Sequence, residues 1–217
     1  MQGPPMPPAG GSSQPSAGLV YTSKGGKQQK GRGLEKLRDN MSFETAFERT
    51  MRLEGGYLLH EVEGDAGGLT YAGIAKNRWP DLALWDDRDR LTQEPDEDIV
   101  AYVQAFYREN FWDAMRLDEI EHSEPAFVIY DFGINAGTKN AIRAAQRACM
   151  EDPREHDGLV GPKTIEAVNA ADPVWFVGQF SVLRCAYYGE LVLKRPVNVK
   201  FLRGWLNRVE TCLRHAA

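Results

Sequence analysis

The chain of 217 residues is poor in cysteine and has no long hydrophobic run. Its cysteines, Cys149, Cys185 and Cys212, are too few and too widely spaced for a disulfide framework or a Cys-x-x-Cys zinc site, so we expect reduced thiols. No apolar stretch approaches the roughly 20 residues of a membrane-spanning helix, so we expect no integral membrane segment. We also expect no export signal, because no basic start precedes a run of about 7–15 apolar residues.

The motifs of nucleotide, zinc and serine-hydrolase chemistry are absent as well. Neither GxxxxGK[ST] nor GxGxxG occurs between a strand and a helix, and there is no GxSxG. The four histidines lack the HExxH spacing of a zinc hydrolase. Catalysis by carboxylate side chains remains after these exclusions, and we expect it to require no metal and no organic cofactor.

Charge is divided unevenly along the chain. Residues 1–40 hold six Lys and Arg against two acids, a net charge of +4, so the rest carries −5 − 4 = −9. An acidic body disfavours nucleic acid as a partner, since that would need a basic face. Residues 1–40 are also rich in Pro, Gly and Ser, which predicts a disordered tail. The tail is either a solvated segment without a role or a weak contact with anionic surfaces.

The remaining sequence predicts an α+β fold that is predominantly helical. Ser42 is a suitable N-cap, and Gly55-Gly56 end the first helix. The glycine-rich stretch 60–74 predicts a small β-hairpin or an ordered loop near the front. Further helices are expected at 96–112, 123–135 and 140–150 and from 162, 173 and 198. We expect a catalytic part at 41–125 and a helical C-terminal part at 126–217. No linker-like composition separates them at 112–125, which favours one globular domain.

Glu54 is the first candidate catalytic residue. It ends the first predicted helix, where the helix dipole places partial negative charge that disfavours a second negative charge. Apolar neighbours, including Tyr57, would raise the carboxyl pKa further. A raised pKa is typical of a general acid, although a solvent-facing glutamate at a helix end has the same sequence pattern.

Asp65 is the second candidate, in the segment DAGGLT. A hairpin after the first helix would bring Asp65 and Thr70 opposite Glu54, as in an inverting glycosidase whose second carboxylate activates water. Asp65 in a turn could equally cap local N–H groups. Glu61 and Glu63 compete for the partner role, because they lie in the same predicted loop.

Aromatic and polar side chains further along are candidates for substrate contact. Tyr71 could stack on a sugar ring. Asp131 and Asn135 are polar within an otherwise apolar helix, so they either line a cleft or cap the helix end.

Seven sequence blocks in order carry a family resemblance. They are EGGY at 54–57, DAGGLT at 65–70, GI at 73–74, FYRENFWD at 106–113, YDFGINAG at 130–137, DGLVGPKT at 157–164 and GWLNRV at 204–209. Residues 41–215 thereby resemble the glycoside hydrolase family 108 lysozymes, which are phage endolysins and bacterial secretion-activator muramidases. The last three blocks resemble the peptidoglycan-binding region associated with that family.

The resemblance implies a lysozyme-like fold and a peptidoglycan glycan strand as substrate, cleaved between N-acetylmuramic acid and N-acetylglucosamine. It implies that Glu54 is the acid and that Asp65 and Thr70 hold the attacking water. Substrate contacts are then expected at Tyr57, Gly68, Tyr71, Asp131 and Asn135. An endolysin without a signal would accumulate in the host cytoplasm and reach the periplasm and wall with a holin. A virion-associated lysozyme would arrive from outside, and its tail would then contact other virion proteins.

Two alternatives stay open at this point. One is a non-catalytic peptidoglycan-binding or virion structural protein, for which Glu54 would have no use. The other is a lytic transglycosylase, which forms a 1,6-anhydro product and needs no positioned water.

Overall fold

The computed structural model describes residues 41–61 and 68–216, which form seven α-helices and one three-stranded antiparallel sheet. The helices are α1 (Phe43–Glu54), α2 (Glu97–Tyr107), α3 (Ser123–Ala136), α4 (Thr138–Cys149), α5 (Pro162–Ala170), α6 (Pro173–Lys194) and α7 (Val199–Ala216). The strands are β1 (Leu59–Glu61), β2 (Leu69–Tyr71) and β3 (Ile74–Ala75), in that spatial order. This confirms the predominantly helical α+β fold. The predicted disordered tail lies outside the described residues.

Helix α1 has the ends that its sequence predicts. The Ser42 hydroxyl accepts the N–H of the residue three positions on at 3.2 Å, and Gly55 ends the helix in a left-handed conformation. Phe43, Phe47 and Met51 are all buried, as expected for one face of a helix with 3.6 residues per turn. The same face packs against α2 and α3, where the ring of Phe47 contacts that of Tyr107 and the ring of Phe43 contacts that of Tyr130.

The predicted hairpin is present and gains a third strand. β1 pairs with β2 so that His60 lies opposite Thr70. β2 and β3 are joined by Ala72 and Gly73, which have φ of 49° and 77°. Two successive positive φ values are typical of the tight hairpin turn that follows the right-handed strand twist. The predicted loop between β1 and β2 lies at 62–67, outside the described residues.

The helix predicted at 96–112 is divided at Tyr107. Asp96 caps α2 by accepting the N–H of Ile99 at 3.0 Å. A π-helical turn then spans Arg108–Trp112 and buries its last two aromatic side chains. The apolar spacing of the sequence is compatible with both helix types, so it could not reveal the wider turn.

Helix α3 is the centre of the fold. It contacts α1 as well as α4, α6 and α7, and its residues 125–133 are all buried. These contacts join the described sequence before and after position 125 within one compact unit. The boundary at 125 stays a prediction inside that unit. None of the described helices combines the length and the apolar character needed to cross a membrane.

Candidate active site

Glu54 is the last residue of α1, where the sequence places it. Gly55 and Gly56 follow with φ of 82° and 77°, a conformation that residues with a Cβ rarely adopt. Both glycine N–H groups donate to the carbonyl of Met51, the second at 2.8 Å. The chain therefore turns away directly after Glu54, and the negative end of the helix dipole lies at this residue. The raised carboxyl pKa expected there stays a prediction.

A cleft of about 470 Å³ opens beside the end of α1. Gly55 and the segment 57–59 form one wall, and residues 91–95 form the opposite wall. We call it the β1 cleft. Its volume falls within the roughly 300–1,000 Å³ of small-molecule sites, so it has room for a sugar ring. Sequence reasoning did not identify the wall at 91–95.

The wall formed by β1 offers backbone hydrogen-bonding groups. β1 is an edge strand, and the amide of Ala72 donates to the carbonyl of Leu58 at 3.4 Å. Since bonding alternates along an antiparallel pair, the N–H and C=O of Leu59 project away from β2 towards the open edge. An open strand edge can bind ligands that carry amide groups, such as N-acetyl sugars.

Tyr57 and Tyr71 differ in what they can contact. Tyr57 is half-buried and lines the β1 cleft, which leaves it able to contact substrate. Tyr71 has no exposed surface, and its ring centre lies 6.3 Å from that of Tyr57. Burial, with the nearby Tyr57 as a further cause, raises the pKa of Tyr71. The prediction that Tyr71 stacks on a sugar is corrected: its ring packs in the core, behind Tyr57.

Thr70 is half-buried on β2, and its side chain is on the sheet face opposite Tyr71, because successive strand residues alternate. Its hydroxyl donates to the carbonyl of Gly68 at 3.2 Å. Glu61 ends β1 and is exposed. Asp65 and Glu63 lie outside the described residues, so the choice of partner for Glu54 stays a prediction.

Gly68 has a conformational role in the described structure. Its φ is +64°, and an added Cβ would lie 2.7 Å from Nδ2 of Asn77. Only glycine meets both conditions without strain. The expected contact of Gly68 with substrate stays a prediction.

Asp131 is corrected from a candidate substrate contact to an internal ion-pair centre. It has no exposed surface. Arg184 on α6 reaches Oδ2 at 2.7 Å, and Arg208 on α7 reaches Oδ1 at 2.7 Å. Burial opposes ionisation, but the guanidinium groups of Arg208 and Arg184 outweigh it and lower the pKa of Asp131. Asp131 therefore ties α3 to α6 and α7 as a buried carboxylate.

Asn135 lies one helical turn after Asp131 and is exposed. Its Oδ1 accepts a hydrogen bond from the hydroxyl of Tyr188 at 2.9 Å, and Tyr188 in turn accepts one from Nε of Arg184 at 2.9 Å. Asn135 thus stands at the outer end of the internal network and stays a candidate for substrate contact.

Sequence reasoning missed Arg184, Tyr188 and Arg208. One signal pointed towards them, since an aspartate inside an apolar helix must have a partner when it is buried. It did not indicate which basic residues would serve, because they follow Asp131 by 53 and 77 positions.

Residues 47–137 match the family described as glycosyl hydrolase 108, and residues 140–210 match a predicted peptidoglycan domain. The chain is also similar to the solved structure of Brucella abortus SagA, at 24% identity and a TM-score of 0.62. That match covers 80% of this chain and 92% of the other, and it supports the fold. None of the curated proteins compared with the chain matches it.

These two family matches support a glycoside hydrolase that acts on peptidoglycan as the class of protein. More specifically, the chain joins a glycosyl hydrolase 108 region to a predicted peptidoglycan domain, which confirms the resemblance seen in its motifs. The first region contains Glu54, the β1 cleft and α3.

Proposed function

We propose that the protein is an N-acetylmuramidase, which hydrolyses the bond between N-acetylmuramic acid and N-acetylglucosamine with Glu54 as general acid. The position of Glu54 carries the proposal. It ends α1 directly before Gly55, which belongs to the wall of the β1 cleft, and it falls within the glycosyl hydrolase 108 region. A carboxyl group at the negative end of a helix dipole favours its protonated form, which a general acid needs.

The proposed reaction is an inverting displacement. Glu54 donates its proton to the glycosidic oxygen as the bond from that oxygen to the anomeric carbon breaks. A water molecule held by Asp65 and Thr70 attacks the anomeric carbon from the opposite face and gives up a proton to the Asp65 carboxylate. Thr70 donates its own proton to the Gly68 carbonyl, so its oxygen is free to accept from water.

We propose that the β1 cleft holds the glycan strand next to the acid. Tyr57 provides an aromatic surface for a sugar ring, and the backbone of Leu59 provides a donor and an acceptor for an N-acetyl group. The left-handed Gly55 has no described atom within 4 Å of its Cβ position, so the polymer can come close to the backbone there.

The test compares wild-type protein with Glu54→Gln on purified peptidoglycan. Loss of general acid catalysis should reduce hydrolysis by at least about 10²-fold while the circular dichroism spectrum is unchanged. Glu48→Gln is the matched control, because Glu48 is an exposed glutamate on the same helix, 3.7 Å from Arg52. The control should retain wild-type activity.

Mass spectrometry of the products decides the reaction type. Muropeptides with reducing N-acetylmuramic acid ends support hydrolysis at the proposed bond. Anhydro products would identify a lytic transglycosylase instead. If the wild-type protein binds peptidoglycan but releases no products from it, the result supports the alternative of a non-catalytic binding protein.

For the biological role, we propose a phage endolysin that lyses its host. This rests on the family resemblance. Expression in a Gram-negative host should leave cells intact until the inner membrane is permeabilised, and lysis should then follow rapidly. Lysis before the inner membrane is permeabilised would contradict the proposed dependence on a holin. A lack of lysis after permeabilisation would contradict it as well.

A further inference from the structure

Helix α6 exposes apolar side chains on one side near its start, middle and end, with two polar residues exposed between them. Trp175, Val182 and Leu193 are 52%, 64% and 83% exposed. They recur at spacings that place them on one side of a helix, while Phe176, Phe180 and Tyr188 on the other side are buried in the core. Large apolar side chains that are exposed together on one side of a helix indicate an interaction site more often than a surface that stays in water.

The spacing along this face is nearly symmetric about position 184. Val182 and Ala186 lie two residues on either side of it, and Trp175 and Leu193 lie nine residues on either side (184 − 175 = 193 − 184). Two identical helices that pack antiparallel about a twofold axis bring residue i of one against residue j of the other, and j against i. A near-palindromic stripe is what such a self-complementary contact requires.

Two glycines lie on the same face, and no contact within the described chain requires a glycine at either position. At Gly178 and at Gly189, an added Cβ would meet no described atom within 4 Å. Glycine in the middle of a helix lowers stability relative to alanine, so each carries a cost without an internal packing reason. Small residues here, six before and five after position 184, let a second helix approach closely.

The charges at the two ends of α6 complement each other in the same arrangement. Asp172, which caps the helix by accepting the N–H of Trp175 at 2.8 Å, is exposed. Arg195, directly after the last helical residue, is also exposed. An antiparallel neighbour places the acidic end of one copy beside the basic end of the other, and it does so twice. A parallel neighbour would place like charges together.

We infer that the outward face of α6 is a self-association surface, on which α6 of a second copy lies antiparallel with its midpoint near position 184. Trp175 of each copy then covers Leu193 of the other. A helix of 22 residues is about 33 Å long. A contact of that length lies at the low end of stable interfaces, below roughly 1,200 Å², so the dimer is weak and forms in the micromolar range.

Sedimentation velocity of the full chain tests the inference across about 2–200 µM protein. The wild type should shift from monomer to dimer with rising concentration. Val182→Glu places like charges near the twofold axis and should weaken the dimer at least tenfold. Leu159→Glu is the matched control, because Leu159 is 66% exposed on a different surface. A wild type that stays monomeric, or a dimer that Val182→Glu leaves unchanged, overturns the inference.

Chemical cross-linking tests the geometry. Cys185 lies one residue from the midpoint and is half-buried at the side of the stripe, so both copies bring it to the crossing. A short bismaleimide should join two wild-type chains, and Cys185→Ser should abolish the product while Cys149→Ser retains it. A cross-link that survives Cys185→Ser and is lost in Cys149→Ser contradicts the proposed arrangement.

Discussion

Replacement of Asp131 by asparagine should destabilise the protein more than any single surface change. The carboxylate has no exposed surface, and the Arg184 and Arg208 side chains are 2% and 13% exposed. Asparagine has nearly the same shape, so no cavity forms, but the change removes the negative charge and sets an NH2 donor where a carboxylate oxygen accepted from a guanidinium. Loss of one partner from a buried ion pair costs about 3–5 kcal/mol, because the remaining charges stay uncompensated. Domains are stable by only about 5–15 kcal/mol, so we expect Asp131→Asn to be partly unfolded near 37 °C.

Urea unfolding followed by far-ultraviolet circular dichroism measures this loss. The control is Glu119→Gln, which removes a surface ion pair in which Arg116 Nε lies 2.6 Å from Oε1, a shorter distance than either pair of Asp131. Because its side chains are 38% and 47% exposed and water screens the pair, we expect a much smaller loss of unfolding free energy than for Asp131→Asn. If Asp131→Asn cost no more than this control, the idea that burial makes the Asp131 pairs essential would be refuted.

The remaining predictions concern pH, backbone conformation and one buried hydroxyl. Burial alone would raise the pKa of Asp131, but its guanidinium partners lower it from the ordinary 3.8. The ionised carboxylate therefore adds stability above pH 3.8, and this contribution is lost as pH falls through the lowered value. The stability gap between wild type and Asp131→Asn should be constant from about pH 5 to 8 and should narrow below about pH 4, as urea midpoints across that range will show. Gly55→Ala should cost about 1–2 kcal/mol of unfolding free energy, since φ is +82° and no described atom obstructs the Cβ. Gly68→Ala should cost at least as much, because its Cβ would also displace Asn77, and a smaller loss in urea titration would contradict this. Tyr71→Phe should keep or increase stability within about 1 kcal/mol, because the Tyr71 hydroxyl is buried without a hydrogen-bond partner among the described residues. A clear loss of thermal stability in that variant would show that the hydroxyl is bonded.

Local sequence determined the ends of the first helix and the presence of the sheet. The Ser42 cap and the Gly55-Gly56 pair act through backbone groups within four residues, so they can be identified without any knowledge of packing. The same holds for α6, whose start at Pro173 after the Asp172 cap follows from the sequence. The position of Glu54 at a helix end follows from these local rules.

Other features required the tertiary structure. The sequence could not indicate that Tyr71 faces the core, because a strand of three residues gives too few positions to assign its two faces. Residues 91–95 became a wall of the β1 cleft only when the chain after the sheet folded back over β1.

Asp131 shows the division most clearly. The sequence marked it as a polar residue in an apolar helix, and both a cleft and a helix cap were open. The packing of α6 and α7 on α3 makes Asp131 the centre of an internal pair of salt bridges. The physical reason is the distance along the chain between the groups that interact. Caps and turns depend on dihedral angles and hydrogen bonds between near neighbours, whereas burial and charge pairing depend on which distant segments the whole core brings together.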